Sequence, residues 1–217
     1  TKKKMKLSNL QIDNARIIRD ELNAVGISQK LIQTAIIAVC YKESGLTIRE
    51  ENLNYSEERL LQCFPKLTKE IISQFNLARN PEKLGNYLYS GKYGNLQGEG
   101  YKYRGRGFNQ ITFKNIYKQY GEQVGVDLVA KPELLNQPKI AAAVLARFFK
   151  ATMHEGFKKG LLAKHGAKNY DEMISKEIAV RVAVQCNAGL GTKWENPIVQ
   201  EGYKKSLESF DTITLCL

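Results

Sequence analysis

Apolar residues recur along most of this chain at three- and four-residue spacing, a pattern that predicts a mainly helical protein. Leu10, Ala15, Ile18 and Leu22 form one stripe, with Ser8 placed to cap it and Gly26 to close it. A second helix is expected from Ser28, carrying LIQTAIIAVC up to Glu43 and ending at Gly45. Residues 57–64 and 69–77 read as short helices separated by Phe64-Pro65, and Asn80-Pro81 as the start of a helix that runs to about Tyr89. Thr112 is expected to cap a helix through Phe113, Ile116, Tyr117 and Tyr120, and Lys131-Pro132 to start a helical turn. Pro138 opens IAAAVLARFFK, apolar on nearly every side and expected as the central buried helix. Residues 155–164 and 171–186 follow as amphipathic helices, with a break at Cys186–Gly189, and Asn196-Pro197 starts the last helix, to about Phe210. Extended structure is suggested only by residues 47–55 and 93–108, as a hairpin. Residues 1–7 are expected as a disordered basic tail, and 8–217 as a single domain of two lobes with a cleft between them.

Composition narrows the class. A hydrophobic content of 43% and a charged content of 25% belong to a globular protein. No apolar run reaches the roughly 20 residues of a membrane span, so stable membrane insertion is not expected. TKKKMK lacks the apolar segment that completes a signal peptide, which suggests synthesis in a cytoplasm. The net charge is +11, from 24 Lys and 9 Arg against 22 acidic residues. Such a surface is drawn to polyanions: nucleic acid, anionic lipid or the anionic polymers of a bacterial envelope. The same charge also fits a surface that is simply kept soluble. No helix-turn-helix, RNP or zinc signature supports nucleic-acid binding. Cys40, Cys63, Cys186 and Cys216 form no CxxC pair, and with only His154 and His165 beside them a zinc site is not expected. Cys40 and Cys186 read as buried small hydrophobes of a chain made in a reducing compartment.

The chemistry is concentrated in CYKESGLTIREENLNYS, residues 40–56. Leu31, Ala35, Val39 and Glu43 share one helix face, so Glu43 ends an apolar stripe. A carboxyl in such a place loses hydration and holds its proton more tightly. Glu50-Glu51 follows beside Asn52, Asn54 and Tyr55, a polar setting that keeps a carboxylate ionised. Two carboxyls pushed in opposite directions suit acid–base cleavage of a glycosidic bond. The same residues also fit a coincidence of spacing plus a surface acidic pair. Residues 90–107, SGKYGNLQGEGYKYRGRG, hold six glycines and three tyrosines; Tyr93, Tyr101 and Tyr103 are candidates for walls that stack on sugar rings, or for a loop packed on its own domain.

The order KESG, ENLNYS, ARNPEKLGNYLY, GEGYKYRGRGFNQIT, KPELL and AAAVLARFF resembles glycoside hydrolase family 19, in its phage endolysin branch more than in its plant chitinases. The resemblance is dense from about Leu31 to Phe149, thinner over 178–205 and absent before about residue 28. It implies a helical lysozyme- or chitinase-like fold. It places Glu43 on the general acid and Glu51 on the general base. Gln110 falls on a glutamine that contacts substrate, Thr112 on a hydroxyl that helps hold the attacking water, and Asn187 on an asparagine that lines the cleft. Tyr103, Arg104 and Arg106 match YRGRG. The arginines read mainly as forks that pin the glycine-rich loop, and Tyr55, Tyr103 and Arg104 complete the expected substrate-binding set. The implied mechanism is inversion, with carboxyls roughly 6.5–9.5 Å apart and no metal or organic cofactor.

Three departures stand out. Lys42 replaces a histidine before the acid; a cation beside Glu43 would oppose the acid role, so Lys42 is expected to point to solvent. One glycine is missing between KES and ENLNYS. Ile116 stands where the family carries an asparagine. The leading expectation is a monomeric peptidoglycan hydrolase, made in a host cytoplasm and acting on the bacterial wall after release. A chitinase acting on N-acetylglucosamine polymer, and a catalytically weak wall-binding module, are the alternatives.

Overall fold

The structure, a computed structural model, describes residues 4–217. It is mainly α, as the periodicity requires, with one small two-stranded antiparallel sheet in place of the expected hairpin. The chain divides into two compact units, one formed by residues up to Ile48 together with Gln137–Leu217, the other by Arg49–Asn136.

The first unit is a helix bundle. Helix α1 (Asn9–Ala24) starts at Ser8 with a complete capping box, Ser8 and Gln11 satisfying each other's backbone N–H groups. Helix α2 (Lys30–Ser44) has Gln29, not Ser28, at its cap and no side-chain cap bond. It stops at Gly45, whose φ of +66° is the left-handed conformation glycine adopts without steric cost. Helices α7 (Pro138–Lys158), α8 (Lys176–Ala188) and α9 (Pro197–Cys216) complete the bundle. α2 packs on α8 and α9, and α1 on α7. Ile32 to Cys40 is an unbroken buried run, so α2, not the expected α7, is the central helix. α7 buries mainly Ala141–Ala146, Phe149, Met153 and Gly156. It also runs on to Lys158, so no separate helix spans 155–164; only a 3₁₀ turn at Ala163–His165 follows. The reason is that EGFK extends the α7 stripe through Met153 and Gly156 before Gly160 stops it at φ +67°. Truncating a fully buried α2 residue such as Ile36 costs roughly 2–5 kcal/mol.

The second unit holds the glycine-rich segment. Helices α3 (Glu57–Cys63), α4 (Lys69–Gln74) and α5 (Pro81–Tyr89) enclose a small core of Leu53, Leu60, Leu67, Ile72, Leu77 and Leu84. The sheet is minimal: β1 (Arg49–Glu50) pairs antiparallel with β2 (Arg106–Gly107), Arg49 opposite Gly107 and Glu50 opposite Arg106. α6 (Lys114–Val124) and a 3₁₀ turn at Pro132–Asn136 follow. Thr112 does not cap α6. Phe113 holds the cap position at φ +76°, and Asn95, 19 residues away in sequence, accepts from Lys114 N at 2.8 Å instead.

Of the expected basic tail, residues 1–3 lie outside the described residues. Leu7 is buried, so the tail is tied down at least at its end. Among the described residues no helix is long and apolar enough to cross a membrane, and no group of three or more His, Cys, Asp or Glu lies together as metal ligands would.

Candidate functional site

The adjacent carboxylates Glu50 and Glu51 have opposite surroundings, because successive side chains on an extended segment point to opposite faces. Both carboxylate oxygens of Glu50 are bound. Arg104 Nη2 donates to its Oε2 at 2.6 Å, while Arg106 Nε and Asn136 Nδ2 donate to its Oε1 at 2.9 and 2.7 Å. Burial works to raise its pKa. The hydrogen bonds from Asn136 and Arg106 and the charges of Arg104 and Arg106 outweigh burial and push it down to about 2. The arginines are anchored further: Arg104 donates to Tyr101 O and lies 3.9 Å over the Tyr101 ring, and Arg106 donates to Lys102 O and the Tyr117 hydroxyl. Glu50 is thus a clamp that pins β1 to the glycine-rich loop. Arg104 is committed to that clamp rather than free for a ligand.

Glu51 is held differently. Tyr89 Oη donates to its Oε1 at 2.7 Å and Gly105 N to its Oε2 at 3.2 Å, while its own N–H donates to Gly105 O at 2.8 Å. Burial first, and then the hydrogen bond to Glu51, raise the Tyr89 pKa well above its ordinary value, so Tyr89 keeps its proton and is a fixed hydrogen-bond donor. Gly105 is the centre of a small cluster. A Cβ there would stand 2.9 Å from Gln110 Oε1 and 3.5 Å from both Glu51 Cβ and Thr112 Oγ1. Only glycine lets these three side chains meet at one point of the loop. Gln110 Nε2 donates to Arg49 O and Gly107 O, and Thr112 Oγ1 donates to Gln110 O at 3.3 Å. Gln110 and Phe113 both have positive φ, +52° and +76°. Such conformations cost on the order of 1–3 kcal/mol each and persist where the surroundings over-determine them. Here Phe113 is wedged between the rings of Tyr89 and Tyr93.

Tyr103 is not a stacking wall. It is 1% exposed, its hydroxyl donates to Val129 O at 2.8 Å, and its ring packs edge-on against Tyr117. Its apolar ring is worth more in the core than in solvent, so no face is left for a sugar. Tyr55 is half-buried, edge-on to Phe64, and Tyr101 lies beneath Arg104. Of these candidate tyrosines only Tyr93, 69% exposed, is open.

In the first unit Glu43 and Asn187 meet, Asn187 Nδ2 donating to Glu43 Oε1 at 3.3 Å. They line a cavity of about 100 Å³ with Lys42, Val39, Val184 and Gly202. Two expectations are corrected here. The Glu43 side chain is 44% exposed, not desolvated, because it lies three positions past the buried run of α2, which ends at Cys40. Lys42 does not point to solvent: its ammonium donates to Glu43 Oε1 at 2.9 Å with the side chain 20% exposed, beside Gly202.

Sequence reasoning missed Tyr89, Asn136 and the Gly105 N–H, all separated from their partners by 38 or more residues and carrying no local signal.

No family model matches the chain. Over 115 residues it is 37% identical to a glycosyl hydrolase family 19 domain-containing protein of Haemophilus influenzae. The match takes in 51% of this chain and 58% of that protein.

Proposed function

We propose that this protein is a glycoside hydrolase of the family 19 kind, a peptidoglycan hydrolase that cleaves β-1,4 bonds of the bacterial glycan strand with inversion. The observation that carries the reading is the setting of Glu51. Both its oxygens are fixed by neutral donors, Tyr89 and the Gly105 N–H, next to Gln110 and Thr112, while both arginines of the loop are spent on Glu50. An oriented carboxylate with a hydroxyl and an amide beside it can hold and deprotonate a water. Glu51 is the general base of this reading, Thr112 its partner on the water, Gln110 a sugar contact, Glu43 the general acid and Asn187 the group that orients it. The likeness to the Haemophilus protein supports the glycosidase class. The excess of positive charge suits an anionic wall. The two-carboxylate mechanism requires no metal or organic cofactor. A monomer acting at the wall completes the reading.

One observation favours a second reading. Lys42 holds Glu43 Oε1 in a charged hydrogen bond that competes with a leaving-group oxygen for this carboxyl, which suits a catalytically weak wall-binding module.

The test is hydrolysis of purified sacculi. The parent should release muropeptides, and mass spectrometry of the new reducing-end sugar identifies the bond cut. Glu43→Gln and Glu51→Gln should each lower the rate by ~10²–10⁴-fold. Unchanged rates would sink the mechanism. Hydrolysis of chitin oligomers but not sacculi would make the protein a chitinase, and binding without release a wall-binding module.

A further inference from the structure

In the second unit a cleft of about 560 Å³ opens among Phe75, Tyr87, Gln74, Asn86, Gln97 and Lys83. It lies within the roughly 300–1,000 Å³ range of small-ligand sites. Phe75 and Tyr87 are 45% and 40% exposed, and their rings contact each other at 5.1 Å with a 49° tilt. Single exposed apolar side chains need no explanation. Two touching aromatic rings on the wall of a polar cleft present a wide apolar face held in one orientation.

The polar lining is open as well. Asn86 Oδ1 accepts from Tyr101 N at 2.9 Å, which fixes the amide and leaves its Nδ2 as a free donor. The amides of Gln74 and Gln97 and the ammonium of Lys83 have no partner among the described residues, whereas Ser90 Oγ is engaged by Gly98 N. The side chains on offer are thus two rings, three amides and one cation. This suits a ligand with flat C–H faces and many neutral hydroxyl and amide groups. It does not suit a polyanion, which one cation would leave uncompensated.

We infer that this cleft is a second carbohydrate-binding site, one that takes a short stretch of β-1,4-linked N-acetylated amino-sugar polymer. The rings stack on the pyranose faces, and the amides pair with hydroxyl and acetamido groups. The site is separate from the Glu51 cluster. Tyr87 and Tyr89 lie two residues apart on α5, so their side chains leave the helix roughly 200° apart, one toward the cleft and the other toward Glu51. A site of this kind holds the polymer without cutting it. The choice of sugar rests on the glycan-hydrolase reading; the existence of the site does not.

The experiment uses Glu51→Gln protein, so that no turnover interferes, and titrates it with the tetramer of N-acetylglucosamine while amide and aromatic NMR signals are followed. Shifts should cluster at Phe75, Tyr87, Asn86 and Gln97. Gln97→Ala, on an exposed loop, and Tyr87→Ala should each weaken that cluster's affinity roughly five-fold, the order of one lost ring or amide contact. Both should leave the rate on short soluble oligomers unchanged in the Glu51 background of the parent. Shifts that appear elsewhere and spare these residues would overturn the site. So would shifts at these residues with the free stem peptide of the wall but not with the sugar. If the cluster responds while the parent hydrolyses no glycan, the site stands and the proposed reaction falls.

Discussion

Removing Glu50 should loosen the loop without touching the proposed chemistry. Glu50→Ala leaves three donors without their acceptor: Arg104 Nη2, Arg106 Nε and Asn136 Nδ2. Breaking a buried ion pair by deleting one partner costs roughly 3–5 kcal/mol. Arg106 is 5% exposed, but the Glu50 carboxylate is 34% exposed, so water can reach part of the gap. Arg106 also keeps Lys102 O and the Tyr117 hydroxyl. A loss of about 2–3 kcal/mol is therefore expected, which for a chain of this size lowers Tm by about 5–10 °C. Thermal unfolding followed by circular dichroism measures it, with hydrolysis assayed at 25 °C, where the variant remains folded. The clamp also has a pH signature. The folded pKa of Glu50 is depressed from 4.5 to about 2, so its contribution is present above pH 4.5 and is lost as pH falls toward 2. Discounted for solvent screening, the contribution is on the order of 1–2 kcal/mol. The gap in Tm between the parent and Glu50→Gln should accordingly close between pH 4.5 and pH 2. A Tm within 2 °C of the parent at neutral pH, or a gap that persists at pH 2, would refute the clamp. Loss of turnover in folded Glu50→Ala, with turnover retained in Glu51→Ala, would mean that Glu50, not Glu51, is the base.

Tyr89→Phe removes only the hydroxyl that orients Glu51 and should lower the sacculus rate roughly ten-fold with Tm within 3 °C of the parent; an unchanged rate would remove Tyr89 from the site. Lys42→Ala removes the cation from Glu43 Oε1, leaving Asn187 as the donor there, and should raise the rate a few-fold, whereas a fall would show that Lys42 helps bind the substrate. Retention on sacculi should weaken steeply as ionic strength rises past ~0.15 M, because exposed charges act through screened attraction; retention that ignores salt would place the affinity in the clefts instead.

Helix content was legible in the chain because each amphipathic stripe, cap and stop lies within a few residues of itself. Ser8 with Gln11, Asn80-Pro81 and Gly45 act locally, and each does locally what its residue type allows. Which helix is central was not legible. α2 and α7 are both apolar, and only the packing of α2 against α8 and α9 buries it along one unbroken run. The same division runs through the candidate site. Alternation along an extended strand was enough to say that Glu50 and Glu51 face opposite ways. Which of them meets the arginines depended on the register of a two-residue strand pairing that joins segments more than 50 residues apart. Tyr103 and Thr112 show the limit most plainly. A tyrosine in a glycine-rich loop is equally able to stack on a ligand or fill a core, and a threonine before a helix is equally able to cap it or not. The Val129 carbonyl decided the first and the Asn95 side chain the second, each supplied by a part of the chain that no local pattern connects to it.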